Sequence, residues 1–207
     1  MKKRIIIAVV VCLTATMNVS AQSLWDRSKP DHNFTFGVRA GLNFASTDMG
    51  YATSTRTGFH VGGAVDWNIV KSLSISSGLS YVEKGYRSDF GKASAGYLQV
   101  PLLASYRIET PTKVQFHFNV GPYFAWGING KVDYKPYDET FAYNYHQNSF
   151  GKKGFFKHFD MGLTAGAYIV IGHILAGLSY EYGLTDIAKV YGKFHNRNVC
   201  MTAGYNF

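Results

Sequence analysis

The chain has 207 residues, a formal net charge of +8 and 22 glycines, and its aromatic fraction of 16% equals its charged fraction. This length suits one domain, or one domain with a processed leader. Beyond the leader there is only one cysteine, Cys200, which excludes an internal disulfide, and no apolar run is long enough for a membrane-spanning helix.

The first 21 residues have the layout of a secretory signal peptide. Basic residues at positions 2–4 precede an apolar run from Ile5 to Leu13, and the small-residue site Val19-Ser20-Ala21 follows. We expect cleavage between Ala21 and Gln22. The chain is then divided into a leader (1–21), a short periplasmic segment (22–33) and one domain (34–207).

Apolar residues recur at every second position in eight segments of the mature chain. The segments are 34–44, 59–69, 73–81, 98–108, 114–126, 159–169, 174–184 and 199–207. A period of two predicts strands with two chemically different faces. The connections are short after the even segments and long after the odd ones (45–58, 82–97, 127–158 and 185–198). The sequence therefore predicts an all-β, eight-stranded antiparallel up-and-down barrel.

The polar face of these strands distinguishes a membrane barrel from a soluble one. It carries small residues such as Gly37, Gly41, Ser76 and Gly166, whereas a water-facing exterior needs Lys and Glu. Small side chains suit the crowded interior of an eight-stranded barrel. The bulky apolar side chains must then point outward into lipid, which predicts a bacterial outer-membrane protein with its loops outside and both termini in the periplasm.

The chain stops on an aromatic residue inside the eighth segment. Phe207 follows Tyr205, Ala203, Met201 and Val199 at alternate positions. We expect this segment to pair with the first strand, because a barrel in lipid leaves no unpaired edge. Tyr205 and Phe207 are also typical of the signal that the outer-membrane assembly machinery recognises.

Five segments in order resemble the PorT-like family of small outer-membrane β-barrel proteins. They are YLQVPLLASYRI (97–108), VGPYFAWGI (120–128), FDMGLTAGAYI (159–169), GLSYEYGLTDI (177–187) and NRNVCMTAGYNF (196–207). The resemblance implies the fold and the outer-membrane location. Because the named member of that family takes part in protein secretion, it also implies a role in a secretion or envelope-assembly complex. The long connections lie outside the matching segments.

Two prolines lie in neighbouring predicted strands. Pro101 and Pro122 come almost opposite each other when the strands pair about the turn at 109–113. Proline lacks the donor that a sheet ladder needs. We expect a bulge or a gap in the ladder here, either as a harmless irregularity or as a lateral gate.

Few charged side chains fall on the inner face. They are Arg39, Asp66, Arg107, Asp160 and Glu181. An unpaired buried charge is costly, so we expect these residues to form ion pairs, with Arg39 at a height similar to that of Asp66. Eight strands leave no aqueous bore, which favours a plugged lumen over a pore.

An enzyme and a metal site are disfavoured by the scatter of the seven histidines. His146 and Ser149 share a connection, but the sequence places no carboxylate to orient the histidine. No two histidines have the spacing of metal ligands on one strand. We therefore expect neither catalysis nor a cofactor.

The third long connection is the candidate interaction surface. Its candidate contacts are Tyr134, Tyr137, Tyr143, Tyr145, Lys152 and Lys153. Long connections are usually functional or disordered, and exposed aromatic residues often mark contacts. The expected partners are lipopolysaccharide, whose phosphates attract lysine, and a surface glycan or protein, whereas nucleic acid is excluded at a cell surface. The alternative is that the aromatic residues pack on one another.

The predicted role is structural or interaction-based, through the loops. A component of a secretion or envelope-assembly complex is the second hypothesis, and a narrow porin-like transport channel is the third.

Overall fold

The computed structural model describes residues 25–48, 54–88, 91–134, 146–150, 156–188 and 194–207. These residues form nine strands: β1 (Phe34–Asp48), β2 (Ser54–Val70), β3 (Leu73–Ser88), β4 (Gly91–Glu109), β5 (Val114–Tyr134), β6 (His146–Asn148), β7 (Phe159–Ile171), β8 (Ile174–Gly183) and β9 (His195–Asn206). The predicted cleavage site at Ala21 and Gln22 lies outside the described residues.

The eight long strands close into a barrel. Each pairs antiparallel with its two neighbours, β5 pairs with β7, and β9 returns to pair with β1. The short β6 adds to the far end of β5, at Lys131–Asp133. This is the predicted eight-stranded up-and-down architecture. None of the described residues form a helix that could cross a membrane.

The two ends of the barrel differ in their connections. Tight turns join β2 to β3, β4 to β5 and β7 to β8 at one end, called here the turn end. Gly172, with φ of 59°, supplies the left-handed conformation that the last of these turns requires. The other connections lie at the opposite end, called here the loop end.

The outer surface of the barrel is apolar along most of each strand. Phe36, Val120 and Ile174 are 59%, 59% and 64% exposed, whereas Asn43 and Ser74 on the inner face are fully buried. A protein surrounded by water would reverse this arrangement. The predicted inversion, with bulky side chains outward and small or polar ones inward, is confirmed.

The strands are longer than the sequence pattern predicts. β3 ends at Ser88 and β4 begins at Gly91, so most of the segment 82–97, predicted as a long connection, is strand. Most of 45–58 is strand as well. The sequence pattern did not predict these extensions because their outward side chains are no longer apolar. The side chain of Lys92, for example, is 62% exposed.

An apolar cluster fills the barrel at its loop end. It consists of Ala93, Ala95, Tyr97, Tyr123, Ala125, Val132, Phe150, Phe156 and Ile187, and is called here the loop-end cap. Phe150 packs edge-on against Tyr97, with ring centroids 5.4 Å apart, and Phe156 packs against Phe150 at 6.4 Å. Gly127 is required beneath Phe150, because a Cβ there would lie 2.2 Å from the Phe150 ring.

The proline positions interrupt the sheet as predicted. The ladder between β4 and β5 reaches the pair Pro101–Tyr123 and resumes at Ala104–Val120, leaving Leu102 and Leu103 outside it. The Ser77 hydroxyl donates a hydrogen bond of 2.8 Å to the Pro101 carbonyl. Ser77 lies on β3, and the ladder between β3 and β4 is also interrupted here, between the pairs Ser77–Leu102 and Ser80–Gln99. The hydroxyl therefore serves a carbonyl that has no ladder partner on β3.

The seam between β1 and β9 closes with the last residues of the chain. Tyr205 is the register partner of Val38, and the Phe207 N–H donates to the Phe36 carbonyl at 2.8 Å. Both aromatic side chains face outward, 44% and 73% exposed. The predicted pairing of the terminal segment with the first strand is confirmed, and recognition of these residues by assembly machinery stays a prediction.

Candidate functional site

Charged side chains meet at two heights inside the barrel. The upper group, called here the roof cluster, lies below the loop-end cap. In it the Lys84 ammonium group is 3.1 Å from Glu181 Oε2 and 3.6 Å from Asp160 Oδ2. The Lys84 side chain is 1% exposed. Two carboxylates and one ammonium group are thus removed from water together, and each depends on the others for compensation.

Amides, a hydroxyl and an aromatic ring complete the roof cluster. Glu181 accepts hydrogen bonds from Gln99 Nε2 at 2.5 Å and from Asn198 Nδ2 at 3.1 Å. The Asp160 carboxylate accepts bonds from the side chains of Asn196 (2.8 Å) and Thr185 (2.9 Å). The Tyr123 ring lies with its centroid 4.1 Å from Lys84 Nζ. These bonds supply donors to the oxygens of both carboxylates.

Lys84 was missed at the level of sequence because it falls within the segment predicted as a connection. The alternation of β3 nevertheless contained the signal. Ser74, Ser76 and Ser80 lie on the inner face, and two further steps of the same parity reach Lys84. Asp160 and Glu181 were correctly placed in the lumen, but the cation that pairs with both is Lys84.

The lower group, called here the floor cluster, lies near the turn end. Arg107 Nη2 is 2.9 Å from Asp66 Oδ2, and Arg107 Nη1 donates to Asn68 Oδ1 at 2.7 Å. The Ser76 hydroxyl also donates to the Asp66 carboxylate. Asp66 and Arg107, two of the charges expected to form ion pairs in the lumen, therefore pair with each other.

Arg39 corrects the predicted pairing. It forms no ion pair with Asp66 or Glu181; Nη2 donates to Asn206 Oδ1 at 2.6 Å and Nη1 to the Tyr205 carbonyl at 3.3 Å. The reason is register, since Arg39 lies opposite Gly62 whereas Asp66 lies opposite Thr35. Asp66 therefore lies four residues along β2 from the residue opposite Arg39, and it pairs with Arg107 instead.

A cavity of about 130 Å³ lies between the two clusters and is called here the lumen chamber. Hydroxyl, imidazole and amide groups such as those of Ser76, His60 and Asn119 share its lining with apolar side chains such as Leu103 and Leu175. The chamber is small because eight strands leave little room inside.

The histidines of the lumen take part in hydrogen bonds. His60 Nδ1 lies 2.7 Å from Asn43 Oδ1 and its Nε2 lies 3.1 Å from Thr202 Oγ1, while His117 Nε2 lies 3.0 Å from Gln115 Oε1. Within the described ranges, no group of three His, Cys, Asp or Glu residues could hold a metal ion. Ser149, weighed as a nucleophile, donates to the Ser94 carbonyl at 2.6 Å.

The candidate contacts of the third connection fall mostly outside the described residues. Tyr137, Tyr143, Tyr145, Lys152 and Lys153 lie there, and Tyr134 is described only as the last residue of β5. Two aromatic residues of the same connection, Phe150 and Phe156, point into the loop-end cap. For these two the alternative of mutual packing is confirmed.

Asp186 anchors the connection between β8 and β9. Its Oδ1 accepts the N–H groups of Phe194 at 3.0 Å and Ala188 at 3.1 Å, and its Oδ2 lies 3.3 Å from Lys157 Nζ. Burial opposes ionisation of the carboxyl, but the hydrogen bonds and the lysine outweigh it and lower the pKa of Asp186. The carboxylate thus ties three chain segments together at the loop end.

Several solved outer-membrane proteins have similar structures. Ail, the attachment invasion locus protein of Yersinia pestis, is 13% identical with a TM-score of 0.47, and the match covers 85% of this chain and 100% of Ail. Neisserial surface protein A is 13% identical (TM-score 0.46; coverage 83% and 97%). OprG of Pseudomonas aeruginosa is 13% identical (TM-score 0.45; coverage 88% and 99%). No curated protein matches the sequence.

A family model also matches the sequence. It is described as "Outer membrane protein beta-barrel domain" and matches residues 20–189, which includes all of the strands except β9. The closed barrel, its apolar outer surface and this match agree on a bacterial outer-membrane location. The chain belongs to the outer membrane protein beta-barrel domain family.

Proposed function

We propose that this protein is a non-catalytic outer-membrane anchor that presents an interaction surface at its loop end. In this proposal the loop end faces the outside of the cell, and the turn end and both termini face the periplasm. The expected ligand is a surface glycan or a partner protein, with lipopolysaccharide around the barrel.

The observation that carries the proposal is the length and packing of β4 and β5. They have 19 and 21 residues, whereas a tilted strand needs about 9–11 to cross a bilayer. The additional residues enclose the loop-end cap, a small apolar core of their own. A packed extension of this kind holds both ends of residues 135–145 on rigid strands, as a binding surface requires.

The decisive experiment replaces residues 135–145 with a short Gly-Ser linker. This change keeps Tyr134, β6, Phe150 and Phe156, so the barrel and the loop-end cap remain. We expect the variant to fold and to lose capture of glycans or proteins by the purified barrel. A matched variant with Lys152 and Lys153 changed to Ser tests whether charge alone explains capture. Unchanged capture by the linker variant would exclude the surface role.

A role in a secretion or envelope-assembly complex is the second candidate. It is favoured by the five sequence segments that resemble the PorT-like family. We expect the intact protein, purified from native membranes after mild solubilisation, to bring partner subunits with it under this hypothesis. The same linker variant separates the two candidates, since a complex held through the turn end would survive it.

A narrow transport channel is the third candidate, and the two charged clusters oppose it. Roof and floor each place paired charges across the lumen, and the loop-end cap adds a layer of aromatic side chains. We expect no steady conductance in planar-bilayer recordings. A steady large conductance would overturn the anchor proposal.

A further inference from the structure

A second cavity lies in the wall of the barrel at the loop end, where β5 changes its partner strand. The ladder between β5 and β7 ends at the pair Trp126–Phe159, and the ladder between β5 and β6 begins at Lys131–Asn148. The interval between these pairs contains a cavity of about 480 Å³, called here the wall pocket. Its lining includes Ser94, Ile128, Asn129, Lys131, Phe150 and His158.

The wall pocket lies where the apolar outer surface gives way to charged side chains. On its membrane side Trp126 and Ile128 are 56% and 47% exposed. The His158 ring stacks between Trp126 and Phe150, with ring centroids 5.7 and 5.2 Å away. Exposed aromatic residues of membrane barrels form girdles at the interface between lipid and water. The wall pocket is therefore at the level of the lipid headgroups.

The polar side chains of the wall pocket have unused hydrogen-bonding nitrogens. Asn129 Oδ1 accepts a bond of 3.1 Å from the Tyr81 hydroxyl, which leaves the Asn129 amide nitrogen as a donor. His158 Nδ1 donates to the Gly127 carbonyl at 2.7 Å, and its Nε2, a donor when the ring is protonated, has no partner in the described ranges. The exposed Lys131 ammonium group also forms no hydrogen bond or ion pair with the described residues.

The charge of the lining favours an anion. None of the described residues that line the wall pocket carries a carboxylate. Asp133, the one acidic residue of β5, lies 3.5 Å from the Lys92 ammonium group. Donors that include a cation suit an oxyanion, and lysine is a common ligand of phosphate.

The size of the wall pocket favours a phosphate that is attached to a larger group. Its volume of about 480 Å³ falls within the range of roughly 300–1,000 Å³ that is typical of small-molecule pockets. That space exceeds the need of a free ion and suits a sugar phosphate. The apolar surface beside the pocket, at Trp126 and Ile128, suits acyl chains.

We propose that the wall pocket binds a phosphate monoester carried by a glycolipid of the surrounding leaflet. The sugar phosphate occupies the pocket, and the acyl chains lie along the apolar surface below it. This inference rests on the proposed function, in which the loop end faces the outside of the cell and lipopolysaccharide surrounds the barrel. It adds the site and the chemical group that is recognised.

Native mass spectrometry of the delipidated barrel in detergent measures the binding. The probes are purified bis-phosphorylated lipid A and the same lipid after dephosphorylation. We expect the phosphorylated form to bind about tenfold more tightly, because charge-assisted hydrogen bonds are lost with the phosphates. Equal affinities would overturn the proposal. Displacement of the lipid by an equal concentration of inorganic phosphate would also overturn it, because the ligand would then be a soluble anion.

Two variants that each remove one positive charge locate the site. Lys131→Gln removes the ammonium group of the pocket, whereas Arg87→Gln removes an exposed charge of β3 outside the lining. We expect Lys131→Gln to weaken binding of phosphorylated lipid A about tenfold and Arg87→Gln to leave it unchanged. Equal effects, or no effect of Lys131→Gln, would overturn the site, because the attraction would then be diffuse.

Asn129→Asp tests the sign of the charge that the wall pocket accepts. The substitution keeps an oxygen for the Tyr81 hydroxyl and places a carboxylate where the free amide was. We expect the preference for phosphorylated over dephosphorylated lipid A to disappear. A retained preference would contradict binding of the phosphate in this pocket.

The linker variant of residues 135–145 separates this inference from the interaction surface. It keeps the described lining of the wall pocket, so it should bind lipid A as the parent does while losing capture of glycans or proteins. Lys131→Gln should show the reverse. Loss of lipid A binding in the linker variant would overturn the wall pocket as the site, whereas retained capture there would overturn only the surface role.

Discussion

The strand β4 passes through two parts of the molecule in which inside and outside have opposite chemistry. In its membrane section the outward side chains are Leu98, Val100 and Leu102, and the inward ones include Gln99. In its loop-end section the outward side chain is Lys92, and the inward ones include Ala93 and Ala95, buried to 0% and 3% exposure.

In both sections of β4 the even-numbered residues point outward and the odd-numbered residues point inward. Only the solvent around the strand changes between the two sections. In the membrane section the apolar side chains face lipid and the polar side chains face the lumen. Water at the loop end restores the ordinary arrangement, in which apolar side chains are inside. Alternation of apolar and polar residues therefore indicates that a segment is a strand. Which of its two faces is apolar indicates whether lipid or water surrounds the barrel at that height.

The largest effect is expected at the roof cluster, where the inside is polar. Lys84→Met removes the cation shared by Asp160 and Glu181 and leaves two buried carboxylates without a countercharge. We expect a loss of about 3–5 kcal/mol in the free energy of unfolding, measured by urea titration of the folded barrel in detergent. Lys92→Met is the matched control, and its exposed pair with Asp133 should contribute less than about 1 kcal/mol. Similar losses in both variants would contradict the distinction.

A slightly smaller effect is expected in the loop-end cap, where the inside is apolar. Phe150 is 8% exposed and contacts Tyr97 and Phe156. Phe150→Ala should cost about 3 kcal/mol through lost burial and the cavity left behind. The same urea titration measures this loss. A loss below about 1 kcal/mol would mean that the cap is not a packed core.

The outward face of β5 offers a direct comparison of the two solvents. Val120→Lys places a charge against lipid and should cost about 2 kcal/mol, at the lower end of the range for the bilayer midplane. Lys131→Leu, on the loop-end part of the same strand, should change stability by less than about 0.5 kcal/mol. Folding into lipid vesicles, followed by urea titration, measures both. Equal effects would show that the loop-end section is also in lipid.

The smallest effect concerns the Asp186 anchor. Its pKa is lowered from the ordinary value of 3.8, so its contribution is present above that value and is lost as the pH falls through the lower pKa of the folded protein. We expect the amides of Ala188 and Phe194 to lose protection from hydrogen exchange over that range. Asp186→Asn cannot lose a charge, so its protection should not depend on pH in this way. Identical pH profiles for the two proteins would refute the anchor.

The lumen charges show how far sequence reasoning reaches. The alternation of apolar and polar residues correctly placed all five predicted charged residues on the inner face of the barrel. It could do so because the face on which a side chain lies depends only on its position along its own strand. It did not identify the partner of Arg39, since partners depend on register across strands that are distant in sequence. It also missed Lys84, because the reversal of polarity near Tyr81 resembles the end of a strand.

The sequence by itself determined the eight barrel strands, the alternation, the apolar exterior and the interruption at Pro101 and Pro122, all of which follow from local pattern and residue chemistry. Only the tertiary structure decided which charges meet, how far the strands continue past the apolar band, and that Phe150 and Phe156 turn inward. The reason is that closing the barrel brings together residues such as Lys84 and Glu181, whose separation along the chain carries no signal of contact.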